Sequence, residues 1–455
     1  MPSRPRGLRF EVVSRIRVPI WKLTMRSLTL LMTVLILNVL TAPLTAADRP
    51  NVVLIISDDH CWTDYGFMGH PQVKTPNLDR LANESLCFRH GYVPSSLCCP
   101  SLASIITGLY PHQHKVTSND PPIPPGMKPG AFQKSDEFRQ GREAMNRHLE
   151  AVPTLPRLLA AEGYESLQTG KWWQGDFRRG GFTQGMTTGQ RHGDAGLEIG
   201  RKTMAPVDDF VRSAVADRKP FFLWYAPMMP HDPHTPPERL LERYRDKTPS
   251  IHVARYWAMI EWFDETCGQL LKTLDDTGVA QNTIVIYVAD NGWIQNPDKP
   301  GFLPSKRSPY NSGLRTPILV RWPAGKVPAE QIDRPVLSID IATTIEAALG
   351  LPKSKEQQGI NLLDRTAVLG RPSIQGECFT HNAVDLDRPA ANLMERWIIV
   401  DGWKLIVPTP LSDVKDMELF RLEDDPNESR NLAASNPDKT SDMLRRLDAW
   451  WRPAQ

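Results

Sequence analysis

Two stretches limit what this chain can fold into: Asn51-Val52-Val53-Leu54-Ile55-Ile56 and, far downstream, Thr283-Ile284-Val285-Ile286-Tyr287-Val288-Ala289. Neither alternates polar with apolar residues, so each reads as a strand buried on both faces, the pattern of a parallel sheet covered by helices. Phe221-Phe222-Leu223-Trp224-Tyr225-Ala226 is another such strand. The first run ends in Ser57-Asp58-Asp59-His60 and the second in Asp290-Asn291-Gly292. Ligands of open α/β sheets bind beyond the carboxyl ends of strands. Oxygen donors at two such ends therefore predict one hard-cation site built from Asp58, Asp59, Asp290 and Asn291, with a solvated Asp-rich turn as the competing reading.

Between these strands lies Ser95-Ser96-Leu97-Cys98-Cys99-Pro100-Ser101-Leu102-Ala103-Ser104-Ile105-Ile106-Thr107-Gly108. It reads as a loop turning into a short helix, with Pro100 at the first helical position and Gly108 past the end. Cys98 or Cys99 then stands at a helix N-terminus, where free N–H groups and the dipole stabilise a thiolate, a sulfate or a phosphate. A cysteine so placed is a candidate nucleophile. Plain packing is the alternative, because free cysteine is among the most buried residue types.

The order Cys98-Cys99-Pro100-Ser101 and then Ala103-Ser104-Ile105-Ile106-Thr107-Gly108 resembles the signature of the type I, formylglycine-dependent sulfatases. Further motifs follow in the expected order, so that the resemblance runs from about Asn51 to Leu432. They are Gly170-Lys171-Trp172, Pro230-His231-Asp232-Pro233, Asp290-Asn291-Gly292 and Lys306 with Tyr310, Gly313, Arg315 and Pro317. The resemblance implies an alkaline-phosphatase-like α/β fold: a large, mixed, mostly parallel sheet flanked by helices, plus a smaller C-terminal α+β subdomain with a short antiparallel sheet. It implies hydrolysis of aryl or carbohydrate sulfate esters by a formylglycine made from Cys98, with Ca²⁺ or Mg²⁺ held by Asp58, Asp59, Asp290, Asn291 and residue 98. Lys171 and His231 are implied to contact the sulfate, Lys306 to bind it and protonate the leaving alcohol, and Asp290 to help deprotonate the attacking hydroxyl. A formylglycine-generating enzyme is the implied maturation partner. Asn311-Ser312 replace a Glu-Gly of the family's pattern, and two further departures bear on the chemistry. Leu102 replaces an Arg that helps the modifying enzyme recognise the site and helps hold the aldehyde hydrate. Trp173 replaces a His that is a candidate base for expelling sulfate; because Trp cannot take a proton, another group performs that step or turnover is impaired.

Three other readings stay open on the residues alone. A phosphoryl or phosphonate ester hydrolase uses the same charges, a catalytically impaired protein binds sulfated glycans without cleaving them, and an unmodified Cys98 serves as thiol or metal ligand. Trp172, Trp173 and Trp293 either stack on sugars or pack the core. His112, His114 and Arg315 read as scaffold.

A net charge of +2 gives no case for a nucleic-acid partner. Arg26, the apolar run Ser27–Leu40 and the small residues up to Ala47 follow the layout of a secretory signal peptide. The expectation is an exported, periplasmic or secreted, protein with no stable membrane span after cleavage, whose translation start is Met25. The expected domains are a signal peptide at 1–47, a catalytic domain at 48–350 and a C-terminal subdomain at 351–455. Residues 118–147, rich in Pro, Gly and charge, read as a long surface insertion bordering the cleft. The six cysteines show no dense disulfide framework and no CxxC pair for zinc.

Overall fold

Asn51–Ser57 (β1) is buried at every residue because it pairs on both edges and is covered on both faces. The computed structural model describes residues 49–453, so the expected signal peptide and the expected Met25 start lie outside the described residues. Val52 pairs with Phe222 on one side and Ile284 on the other, which makes Phe221–Ala226 (β5) and Thr283–Ala289 (β6) parallel neighbours of β1. With Leu86–Tyr92 (β2), Glu165–Gly170 (β3), Gln184–Gly185 (β4), Arg315–Arg321 (β7), Glu330–Gln331 (β8) and Val336–Leu337 (β9), they build one sheet. Its order is β4-β3-β5-β1-β6-β7-β2-β8, with β9 also on β2. Only β7 runs against its neighbours.

The period of two separates two cores. Val52, Leu54, Ile56, Phe222, Trp224, Ile284, Ile286 and Val288 face one side, packed with Leu102, Ile105 and Ile106 of the helix Cys98–Thr107 and with Ile341 and Ile345 of the helix Asp340–Ala348. Val53, Ile55, Leu223, Tyr225, Val285 and Tyr287 face the other, against Met259, Phe263, Leu270 and Leu274 of the helix Ile251–Asp276. Each such side chain contributes about 1.5–3 kcal/mol through burial.

Ile374–Phe379 (β10), Leu393–Val400 (β11), Trp403–Pro408 (β12) and Glu418–Arg421 (β13) form a separate antiparallel sheet in sequential order. Asp401 and Gly402, at φ 48° and 76°, make the two-residue turn between β11 and β12, the geometry Asp-Gly favours. One face is covered by Met443 and Leu447 of the helix Pro437–Trp450. The other packs Trp397, Ile399 and Ile406 on Tyr92, Leu337 and Ile339. Trp397 Nε1 and the Glu377 N–H both donate to Pro94 O (3.2 and 2.9 Å), so this sheet buttresses the loop that leads to Cys98.

Three local expectations are corrected. The helix behind the nucleophile motif begins at Cys98 rather than Pro100, with Leu97 extended as its N-cap. Proline lacks an N–H and is tolerated anywhere in the first turn, so the register was free to move. The order Thr75-Pro76-Asn77-Leu78-Asp79 reads as a capped helix start, and Thr75 does stand at the N-cap of Pro76–Asn83 but does not cap it: its hydroxyl donates to Asp79 Oδ1 and accepts from the Gly66 N–H, both at 2.8 Å. Residues 118–147 are not a plain surface loop. Ser118, Asn119 and Asp120 are buried, and Asp136–Glu150 is a helix capped by Ser135 that buries Phe138, Met145 and Leu149.

Gly170 ends β3 at φ 72°, and a Cβ there would lie 1.9 Å from Ala226 O. Gly170→Ala is therefore expected to destabilise the protein by about 2–4 kcal/mol, combining left-handed strain with overpacking. It is also expected to misplace Lys171. A urea titration reads the first effect, and an unchanged midpoint contradicts it.

Candidate active site

Backbone hydrogen bonds gather the strand ends. The Asp58 N–H donates to Met229 O just after β5, the Asp290 N–H to Ser57 O, the His60 N–H to Asn291 O, and the Lys171 N–H to Ala226 O, at 2.6 to 3.0 Å. Asp59 has φ 61°, a left-handed conformation that a non-glycine residue keeps only where its surroundings enforce it. Its N–H donates to Asp290 Oδ1 at 3.0 Å. Four parallel-strand ends thus deliver Asp58 and Asp59, Lys171, His231, and Asp290 with Asn291 to one place, and the helix Cys98–Thr107 brings Cys98 there.

Within it, opposite charges alternate. Lys171 Nζ lies 2.6 Å from Asp58 Oδ1 and 3.7 Å from Asp290 Oδ2. Lys306 Nζ reaches both oxygens of Asp59, at 2.6 and 2.8 Å. His231 Nε2 is 3.4 Å from Asp59 Oδ2, while Nδ1 lies 2.6 Å from Asp232 O. Asn291 Nδ2 donates to Asp59 Oδ1 at 2.6 Å. Burial alone would lower both lysines, but the facing carboxylates outweigh it and hold them protonated. Burial would likewise raise Asp59, yet Lys306, His231 and Lys171 pull it well below the usual range. Asp290 goes the other way: burial, then the charge of Asp58, raise it to about 7.

The donor set suits a hard dication. One ligand atom from each of Asp58, Asp59, Cys98 and His231 lies within 4.8 Å of the others, and Asp290 and Asn291 adjoin the group through Asp59. Asp58 Oδ2, Asp290 Oδ2 and Asn291 Oδ1 are buried acceptors with no hydrogen-bond partner among the described residues. Buried acceptors left bare are costly, and three in one cluster with oxygen chemistry fit Ca²⁺ or Mg²⁺.

Asp290 yields a pH test. Its carboxyl is raised in the fold, so the stability it contributes is complete below the unfolded value near 4 and is lost as pH rises through about 7. Without divalent cations the native protein is expected to lose stability relative to Asp290→Asn between pH 4 and 7. Denaturant titrations at several pH values check this, and parallel curves refute it.

Cys98 is buried and lies in the first turn of its helix, but burial outweighs Lys171 and Lys306 and pushes its thiol up to about 12. Without a cation on the cluster, burial therefore favours the neutral thiol of an unmodified Cys98 over a thiolate. The Cys99 N–H donates to Asn119 Oδ1 at 2.9 Å, and Gln174 Nε2 contacts Cys99 Sγ at 3.0 Å. The six cysteines are free thiols and all buried.

The tryptophans pack. Trp172, Trp173 and Trp293 are each about 2% exposed. Trp172 meets Phe182 and Trp224, and Trp293 meets Phe302. His112 binds Glu377 and His114 binds Ser104, as scaffold, and Arg315 stacks over Trp62 at 3.8 Å.

Sequence reasoning missed the loop beside Trp173. His192 sets its ring edge-on to Trp173 at 4.4 Å and 6.0 Å from His231. Its Nε2 lies 2.8 Å from Arg191 NH1, and Arg191 pairs with both oxygens of Asp120 at 2.9 Å. Burial, then Lys171 and Arg191, keep His192 neutral. The loop is held by Asp194, which accepts the N–H groups of Thr188, Gly189 and Gln190. Gly189, Gly193 and Gly196 were its only signal.

A family model described as Sulfatase matches residues 50–351, and one described as N-sulphoglucosamine sulphohydrolase, C-terminal, matches residues 301–449. N-acetylgalactosamine-6-sulfatase of Rattus norvegicus is 28% identical over 79% of this chain and 74% of its own length. Arylsulfatase A of Homo sapiens is 30% identical over 70% of this chain and 67% of its own. The solved structure of Ps i-CgsB shares the fold, with a TM-score of 0.71 at 23% identity over 90% of this chain and 94% of that one.

Proposed function

The chain belongs to the sulfatase family of sulfuric ester hydrolases, and from that premise we propose that it is an exported sulfatase of aryl or carbohydrate sulfates, acting through formylglycine at position 98 and a divalent cation. The observation that carries this reading is the buried cluster in which Asp58, Asp59, Asp290 and Asn291 face Cys98 between two lysines. A divalent cation on those oxygens would polarise a sulfate oxygen, and the hydrated aldehyde of formylglycine would supply the attacking hydroxyl.

The chain's own groups do the rest. Asp290, raised toward neutrality, is suited to take the proton of the attacking hydroxyl. Lys171, Lys306 and His231 offset the charge of the sulfate oxygens. Lys306 gives its proton to the leaving alcohol. The charge of Asp59 holds that proton tightly, and neutralising Asp59 with a cation makes Lys306 a stronger acid. Trp173 cannot act as a base, and the imidazole packed on it is His192. The export part of the proposal rests on residues 26–47.

The test is a paired assay of purified mature protein with Ca²⁺, using a sulfate monoester and the matching phosphate monoester. Faster release of sulfate supports the proposal. Faster release of phosphate moves it to phosphoryl transfer, and binding of a sulfated sugar without release leaves a glycan-binding protein.

A further inference from the structure

Arg307 is a charged residue at the mouth of the site that the proposed reaction leaves unused. Its N–H donates to Ser96 O at 2.9 Å, and Ser96 Oγ donates to Ser308 O at 2.7 Å, so its backbone is stitched to the loop entering Cys98. Its φ is 66°, a left-handed conformation that side-chain-bearing residues keep where surroundings enforce it. Lys306 turns inward and is buried, whereas Arg307 is exposed.

The neighbouring cations are spoken for: Lys171 by Asp58, Lys306 by Asp59, Arg191 by Asp120. Among the described residues no carboxylate pairs with Arg307, whose guanidinium lies 5.9 Å over the Phe302 ring. Its backbone partner Ser96 is two residues from Cys98 and its chain neighbour Lys306 is paired with Asp59, so Arg307 stands beside the loop that carries the nucleophile. Under the proposed function, the dication, Lys171, Lys306 and His231 already face the scissile sulfate and the three aspartates, and Arg307 is left without a counter-charge.

We infer that Arg307 recognises a second anionic group of the substrate, a carboxylate or a further sulfate on the sugar that bears the scissile ester or on its neighbour. A guanidinium presents paired N–H donors that match either oxyanion. This inference rests on the sulfatase reading.

The probes are a hexosamine 6-O-sulfate glycoside, the same glycoside with a second O-sulfate, and the disaccharide that links it to a uronate. Their dissociation constants are measured by calorimetry with Ca²⁺ on Cys98→Ala protein, with and without Arg307→Met or Arg307→Lys. The preference for at least one dianionic probe over the monosulfate is expected to fall about tenfold or more in Arg307→Met and to be partly kept in Arg307→Lys. Loss confined to the disulfated probe identifies a sulfate subsite, and loss confined to the uronate identifies a carboxylate subsite. An unchanged preference, or none in the parent protein, overturns the inference. Sulfate release by native protein is followed separately: its absence counts against the sulfatase reading, while the dissociation constants still decide the role of Arg307.

Discussion

Asp59→Asn is expected to lower kcat/KM for a sulfate ester by about a thousandfold or more and to abolish thermal stabilisation by Ca²⁺ or Mg²⁺. Asp59 is fully buried and touches Lys306, His231 and Asn291 at once. The amide keeps its shape but loses the charge that a cation needs. A cation at about a hundred times its dissociation constant adds about 2.7 kcal/mol to native stability, and the variant forfeits that gain. It also leaves Lys306 without its counter-charge, a loss of about 3–5 kcal/mol for a buried pair. The double variant Asp59→Asn with Lys306→Met separates the two effects: it recovers much of the fold's stability without recovering the response to metal. Differential scanning calorimetry with and without a chelator reads both, and a single variant that still melts higher with Ca²⁺ contradicts the assignment.

Lys306→Met is expected to show a loss that depends on the leaving group. A general acid contributes about a hundred- to ten-thousandfold where the departing oxygen needs a proton. A sugar alkoxide needs one and a nitrophenolate does not. The variant should therefore lose most of its kcat/KM on a carbohydrate sulfate and far less on 4-nitrophenyl sulfate. If Lys306 serves only to balance Asp59, the two substrates lose rate equally, and the acid role fails.

The strands that carry the site were legible because a strand buried on both faces leaves an unbroken apolar run. β5 and β6 lie where the sequence places them, and β1 runs one residue past the expected Ile56, to Ser57. Their acidic ends were legible for the same reason, since a charge after such a run has few places to go except the sheet's edge. β2 was missed: Leu86-Cys87-Phe88-Arg89-His90-Gly91-Tyr92 shifts register between Phe88 and Gly91, which breaks its alternation. The helix Asp136–Glu150 was missed because its apolar side is only Phe138, Met145 and Leu149 in a charged stretch. No sequence period marks the approach of Arg191 and His192 to Trp173, which depends on the loop tied to Asp194. The burial that raises the Cys98 thiol comes from the packing of its helix into the core, and composition does not report it.

Under the proposed function, position 98 carries formylglycine even though Leu102 stands where the family has an arginine. Mass spectrometry of the tryptic fragment His90–Lys115, from protein purified from its own host, tests it most directly. A fragment whose residue 98 has the mass of the aldehyde or its hydrate is the predicted result. A fragment in which Cys98 is found only as thiol or disulfide contradicts the account, because a cysteine has no hydrated aldehyde to supply the attacking hydroxyl.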